Sequence, residues 1–328
     1  MKIAIVRLSA LGDIVQSMIV LQFIKKKYPE SDVDWIVDSK YKALLEDTKY
    51  LNKVIPISLS KAKEKKSLVL LGKLLWSIRK LDKYDIVIDL QGLIKSAIIT
   101  KILKADRKCG FDRSSLKESL SSIFYTERFN IPYQLNVIRR YSELVNEVLR
   151  IDIRNSDIVN KESFFNHNSN FRARKKPLIG LVIGTSFHSK TYSVKNYAEI
   201  ANNFDASFVA IWGSSEEKID AELLLKLTNK VTLSEKLSFK ALKNLICSFD
   251  LVIGGDTGPV HLAWACNIPS ITIFGPTSKD RNTFITKKNI TISSNEEINI
   301  HSINKDTSEI NTISPSSILK LMHKVLEI

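Results

Sequence analysis

LVIGGDTGPVHLAWA, residues 251–265, runs from a buried strand through a tight turn into a helix. Leu251–Gly254 is short, apolar and β-branched. Gly254-Gly255 lets the backbone turn, and Pro259 suits the first turn of a helix. A strand that feeds straight into a helix is half of a βαβ unit. Outward from this stretch the same alternation repeats. Leu178–Ile183, Ser207–Trp212 and Ser270–Phe274 read as strands, with helices near 195–203, 216–228, 238–247 and 259–266. Farther upstream, Ile3–Val6, Val33–Val37, Val54–Ile57 and Ile86–Leu90 read as strands. Ile14–Tyr28, Leu68–Leu81 and Leu93–Leu103 read as helices, and residues 134–150 add one more. Alternation at this spacing predicts parallel strands with helical crossovers. The polar, basic stretch NHNSNFRARKKP, residues 166–177, has the composition of a linker. The expected fold is α/β, with two Rossmann-like doubly wound parallel-sheet domains, residues 1–165 and 178–313, facing a cleft. Ser314-Pro315 opens a closing helix through Leu326, within 314–328. Residues 289–313 give no clear element.

The chain has 328 residues, 44% hydrophobic and 26% charged, a size that suits two domains. Its formal charge is +14. Residues 1–176 hold 34 Lys and Arg against 20 Asp and Glu, whereas 177–328 hold 15 of each. The positive field therefore belongs to the first half, which predicts a multiply anionic partner there. No aromatic interleaving or nucleic-acid-binding signature accompanies it, so a phosphate-rich membrane surface is expected rather than nucleic acid. No apolar run reaches bilayer length. MKIAIVRLSALGD reads as a first core strand, not a secretory signal. Cys109, Cys247 and Cys266 form no CxxC pair and are expected as reduced thiols in a cytoplasmic protein.

In such sheets ligands gather in the loops after the strands. The turn Asp256-Thr257-Gly258-Pro259 offers N–H groups and a helix dipole to a diphosphate, with His261 one turn into the helix. The loop GTSFHSKTYSVKNY, residues 184–197, brings Thr185, Ser186 and Lys190. Lys190 is either a solvated cation or one that neutralises a leaving phosphate without metal. Glu216 and Glu217, at a helix start, can accept ribose hydroxyls or simply face the helix dipole. In the first half, LSALGD at 8–13 lacks the GxGxxG dinucleotide fingerprint. Asp13 there is a helix cap or a general base. Asp32–Asp34 reads as a strand entry rather than a metal site. Basic clusters at Lys61, Lys63, Lys65 and Lys66, then Lys117, then Arg139 and Arg140, are the candidate anion contacts.

VRLSALGDIVQS near the start, DLQGLIKSA at 89–97 and GGDTGPVHLAWACNIPSITIFGPT at 254–277, in this order, resemble glycosyltransferase family 9, the ADP-heptose:lipopolysaccharide heptosyltransferases. DLQGLIKSA favours the heptosyltransferase I branch over II. The resemblance implies a GT-B fold and inverting transfer of heptose from ADP-L-glycero-β-D-manno-heptose to a Kdo sugar of Kdo-lipid A. It implies no cofactor and no structurally required metal. The expected location is the cytoplasmic face of a Gram-negative inner membrane. By position it makes Asp13 the base and Lys190 the cation on the diphosphate, beside Thr185 and Ser186. Asp256, Thr257, Gly258 and His261 fall on the donor loop, Glu217 on the ribose ligand, and Leu237 on an apolar residue against adenine. The acceptor-side cations are mostly Lys where relatives have Arg, which loses bidentate phosphate contact. A nucleotide-sugar epimerase would share the donor loop without needing the basic first half. A non-catalytic anion binder would explain the charge but not the Asp-Thr-Gly loop.

Overall fold

Six strands of the first half, β1 (Lys2–Val6), β2 (Asp32–Asp38), β3 (Lys53–Ile57), β4 (Tyr84–Asp89), β5 (Ala105–Phe111) and β6 (Glu127–Phe129), pair in the order β3-β2-β1-β4-β5-β6. Those of the second are β7 (Leu178–Val182), β8 (Ser207–Ile211), β9 (Val231–Leu233), β10 (Leu251–Gly255), β11 (Ser270–Phe274) and β12 (Asn289–Ser293), ordered β12-β11-β10-β7-β8-β9. Every pairing is parallel; Ile3, for example, sits between Val33 and Ile86. The computed structural model describes residues 1–166, 174–294 and 307–327. They form two units, Met1–Asn166 and His167–Ile328.

Both orders are the Rossmann order, and each reverses direction once, between β1 and β4 and between β7 and β10. The loops after those four strands therefore open at the switch points. Right-handed crossovers put the β1→β2 and β2→β3 connections on one face of the first sheet. The same rule puts the β3→β4, β4→β5 and β5→β6 connections on the other. On that second face Leu74 and Ile78 of the helix Leu68–Arg79, with Ile99 of the helix Ile94–Ile102, bury against Ala4, Val6, Ile36 and Val87. The second unit has its own core, closed by Ile318 and Met322 of the helix Pro315–Leu326, which Ser314 caps.

Several elements differ from the sequence expectation. β6 and β9 are three-residue strands too short to leave an apolar run, and β5 mixes Arg107 and Lys108 into its pattern. β12 lies in the stretch that gave no clear element. The helix expected over Ile14–Tyr28 is two, Leu11–Ser17 and Ile19–Lys27. At the joint the Ser17 hydroxyl donates to the Ile14 carbonyl at 2.9 Å, and the Met18 N–H is shared between Ile14 and Val15. The cysteines also correct the expectation of three free thiols: Cys247 and Cys266 are joined as a disulfide. Cys109 is free, and burial pushes its thiol up to about 12. Asp34 accepts from Tyr84 and Asn52 inside the sheet, as a strand residue.

Candidate active site

At the second unit's switch point, β10 ends at Gly255 and Asp256 follows directly. A side chain at Gly255 would collide with the Lys190 carbonyl and come within 2.9 Å of Thr185, so glycine lets the β7 loop lie against the strand end. That approach delivers Lys190. Its Nζ donates to Asp256 Oδ2 at 2.8 Å, and both side chains are buried. Thr277 and Asn282 donate to the same oxygen at 3.0 Å each, while His261 Nε2 sits 3.2 Å from Oδ1. Burial alone would favour a neutral Asp256, but the His261 hydrogen bond and the Lys190 charge outweigh it and hold the carboxyl well below the usual range. The second switch point thus carries a buried anion with four polar partners. Thr277 and Asn282 are the members that the sequence did not disclose. They come from the loop after β11 and the short helix Lys279–Asn282, with no spacing to link them to Asp256.

The rest of the expected donor set lies in the connections that follow β7, β8, β9 and β10. Thr257 is the N-cap of the helix Gly258–Ala265, and its hydroxyl makes no cap bond. Its N–H and that of Gly258 have no carbonyl a turn back inside the helix. The Thr185 hydroxyl lies 2.7 Å from the Phe187 carbonyl and 2.9 Å from Thr191 Oγ1, and Ser186 is exposed in the same loop. Glu217, not Glu216, is the carboxylate beside the β7 loop: a side chain at Gly184 would overlap it. Glu217 also closes a capping box, accepting from Gly213 N–H at 2.6 Å and Ser214 N–H at 3.2 Å. Leu237 is half-buried between β9 and the helix Phe239–Ile246.

The first unit's switch point holds Asp13 in the third position of its helix, reaching back to the Ala10 N–H at 3.3 Å. Arg7 pairs with the same oxygen, Oδ2, at 2.8 Å. Asp13 is 43% exposed whereas Arg7 is buried, its other nitrogen donating to the Leu90 carbonyl at 3.0 Å. Burial works against the guanidinium's charge, and Asp13, with Tyr141 and Asp89, more than restores it. From the loop after β4, Gln91 accepts from the Leu8 N–H at 2.9 Å, and Lys95, in the first turn of the helix Ile94–Ile102, donates to Ser9 Oγ at 2.9 Å. Asp89 fixes that loop through the N–H groups of Gln91 and Gly92 and the Tyr125 hydroxyl. Arg7, Gln91 and Lys95 are new members of this site. They lay inside VRLSALGD and DLQGLIKSA but carry no local signature of their own.

The basic clusters scatter. Lys65 and Lys66 are exposed; Lys65 lines a groove of about 350 Å³ with Pro56, Leu70 and Lys73. Lys61 and Lys63 belong to the helix Leu59–Glu64, and their side chains lie outside the described residues. Lys117 is exposed, and Arg139 pairs with Glu143 at 3.2 Å. Arg140 corrects the expectation of a surface cation. It is buried, donates to the carbonyls of Ser115, Ile131 and Pro132, and stacks against Phe111 and Tyr133. Its charge is used to tie the chain down. Among the described residues no three His, Cys, Asp or Glu side chains are grouped to hold a metal ion.

Comparison with known proteins identifies the family. The chain is 37% identical to lipopolysaccharide heptosyltransferase 1 of Campylobacter coli, over 99% of both chains. It is 26% identical to that of Salmonella typhimurium, over 84% of this chain and 89% of the relative. The structure of E. coli heptosyltransferase WaaC with ADP matches it with a TM-score of 0.82 at 19% identity, covering 99% and 100% of the two chains. E. coli ADP-heptose LPS heptosyltransferase II matches with a TM-score of 0.74 at 18% identity, covering 100% and 99%. The model of glycosyltransferase family 9 (heptosyltransferase) matches residues 73–312. With a family match across most of its length and both units folded as in those structures, the chain belongs to glycosyltransferase family 9, the heptosyltransferases.

Proposed function

We propose that this chain transfers L-glycero-D-manno-heptose from ADP-heptose to a Kdo residue of Kdo-lipid A, with inversion at the anomeric carbon. The observation that carries the reading is the match of the entire chain, both units together, to a lipopolysaccharide heptosyltransferase 1. The geometry supports a division of labour. Both contacts of Asp13 fall on Oδ2, so Oδ1 is the oxygen left to take the acceptor's hydroxyl proton as that oxygen attacks. ADP departs as the glycosidic bond forms. Lys190 and the first N–H groups of the helix Gly258–Ala265 face the diphosphate charge, and these groups serve in place of a metal ion. Thr185, Ser186, Glu217, Leu237 and His261 complete the nucleotide-sugar side. The first unit's positive excess is the counterpart of the acceptor's phosphates and of an anionic membrane surface on the cytoplasmic face. The enzyme acts there as a peripheral protein; among the described residues no helix is long and apolar enough to cross a membrane.

The test is mass spectrometry of the product after incubation with ADP-heptose and Kdo-lipid A. One added heptose is the expected result. No addition to Kdo-lipid A, but addition to an acceptor already carrying heptose, would move the chain to a later step of core assembly.

A further inference from the structure

A folded surface seldom exposes large apolar side chains in register. Apart from Met1 and Val159, all the exposed large hydrophobics described in the first unit lie on three neighbouring connections on one face of its sheet. The helix Leu68–Arg79, between β3 and β4, exposes Val69 and Trp76 to 67% and 61%, seven residues apart on one stripe. The helix Ile94–Ile102, between β4 and β5, exposes Ile94 and Ile98 at i, i+4. The turn Ser119–Phe124, between β5 and β6, exposes Leu120 and Ile123 to 60% and 63%. The first helix packs on the second, and the second on the turn.

Each apolar pair is framed by exposed lysines. Lys73 lies between Val69 and Trp76 on the same stripe, and Lys80 places its Nζ 3.4 Å from the centre of the Trp76 ring. Lys95 and Lys101 flank Ile94 and Ile98, and Lys117 precedes the turn. Of the acidic residues nearby, Glu118 is engaged with the Ile94 N–H at 2.7 Å. Apolar side chains with an interfacial tryptophan, ringed by cations, match the boundary of an anionic bilayer. A second copy would set lysine against lysine, and a nucleic acid would leave the aliphatic side chains unused.

We propose that this helix layer is the surface by which the protein sits on an anionic phospholipid bilayer, with Val69, Trp76, Ile98 and Ile123 in the headgroup boundary. The position also suits the reaction. Lys95, at the edge of this face, bonds Ser9 in the Asp13 loop, so a seated bilayer would bring a lipid-anchored acceptor alongside Asp13. That purpose, though not the surface itself, rests on the acceptor proposed above.

Flotation with vesicles of phosphatidylethanolamine containing about one-third phosphatidylglycerol tests it against pure phosphatidylcholine. Wild type should float with the anionic vesicles only. Trp76→Ser, Ile98→Ser and Ile123→Ser together should weaken that binding about tenfold or more with no change in net charge. Brominated acyl chains should quench tryptophan fluorescence in wild type but not in Trp76→Phe, because Trp35 and Trp264 are buried and Trp212 packs, partly buried, against the core of the second unit. Turnover on a deacylated Kdo acceptor should be unchanged in the triple variant. The proposal fails if wild type does not float, if the triple variant floats equally well, or if turnover on the deacylated acceptor falls with it. A wild-type dimer abolished by the triple variant would also overturn it, giving the face to a second copy. Failure of wild type to transfer heptose at all would sink the functional reading and leave the vesicle result standing.

Discussion

The Lys190–Asp256 pair sets one requirement on the donor site: a diphosphate that uses Lys190 must compete with a carboxylate 2.8 Å away. Substituting either partner separates that competition from a purely structural role. Lys190→Met leaves Asp256 with Thr277, Asn282 and His261, so the carboxylate is not stranded. Removing one member of a buried pair costs ~3–5 kcal/mol when the other is left alone. With three partners retained, about 2 kcal/mol of stability is the expected loss. A charge-assisted contact contributes about 1.5–3 kcal/mol, so ADP should bind roughly ten- to a hundredfold more weakly. Asp256→Asn should also lower stability, yet it frees Lys190 from its competitor. ADP affinity should then hold or rise. Urea unfolding measures the first quantity and calorimetric titration with ADP, which lacks the heptose, the second. The reasoning is refuted if Lys190→Met binds ADP like wild type. It is equally refuted if Asp256→Asn loses ADP in step with Lys190→Met, because the pair would then serve the fold alone.

Asp13→Asn should lower kcat by about 10²–10⁴, the usual contribution of a general base, while ADP affinity stays near wild type and the unfolding midpoint falls because buried Arg7 loses its carboxylate; near-normal kcat would leave Asp13 as the partner of Arg7 and Ala10 only. Gly184→Ala should displace the Glu217 carboxylate, weakening ADP binding and lowering the melting temperature through the lost capping box; a variant indistinguishable from wild type in both would separate Glu217 from the nucleotide. Burial lowers the Lys161 ammonium to about 7 from 10.5, so between those values the unfolded chain binds more protons and stability rises with pH. The gain is a few kcal/mol at most, at about 1.4 kcal/mol per pH unit. Lys161→Met should flatten that slope and raise stability at pH 7, and an unaltered pH profile of unfolding would refute the assignment.

Those experiments divide along what the chain discloses locally. Ile3–Val6 and Leu251–Gly255 are continuous apolar runs because their strands are buried on both faces, and such runs are visible in any register. β6 and β9 lie at sheet edges, need only three residues, and leave no run to see. The site divides in the same way. Asp256 and His261 sit five residues apart on one turn and helix, so their meeting could be anticipated. Thr277 and Asn282 reach Asp256 across 21 and 26 residues, and only the folded sheet brings them there. Arg140 shows the converse error. Beside Arg139 it reads as a surface pair, but consecutive helical residues point about 100° apart, and only one of them faces solvent.

The two switch points pose the same residue in opposite surroundings, and in the proposed reaction that contrast decides which carboxylate moves a proton. Each sheet reverses at a strand end followed by a connection that bears an Asp: Asp13 in the first turn of the helix after β1, and Asp256 directly after β10. Asp256 has polar partners on both oxygens, two of them Lys190 and His261, in a place that water scarcely reaches. Protonating it would discard several of those contacts, so it remains an anion throughout the neutral range. Asp13 keeps its contacts on one oxygen and is 43% exposed. An incoming hydroxyl can reach the other oxygen without breaking the Arg7 pair. In the proposed reaction Arg7 holds the carboxylate in place while the proton arrives. A sugar hydroxyl that loses its proton late, when bond formation to the anomeric carbon is already advanced, asks no more of it.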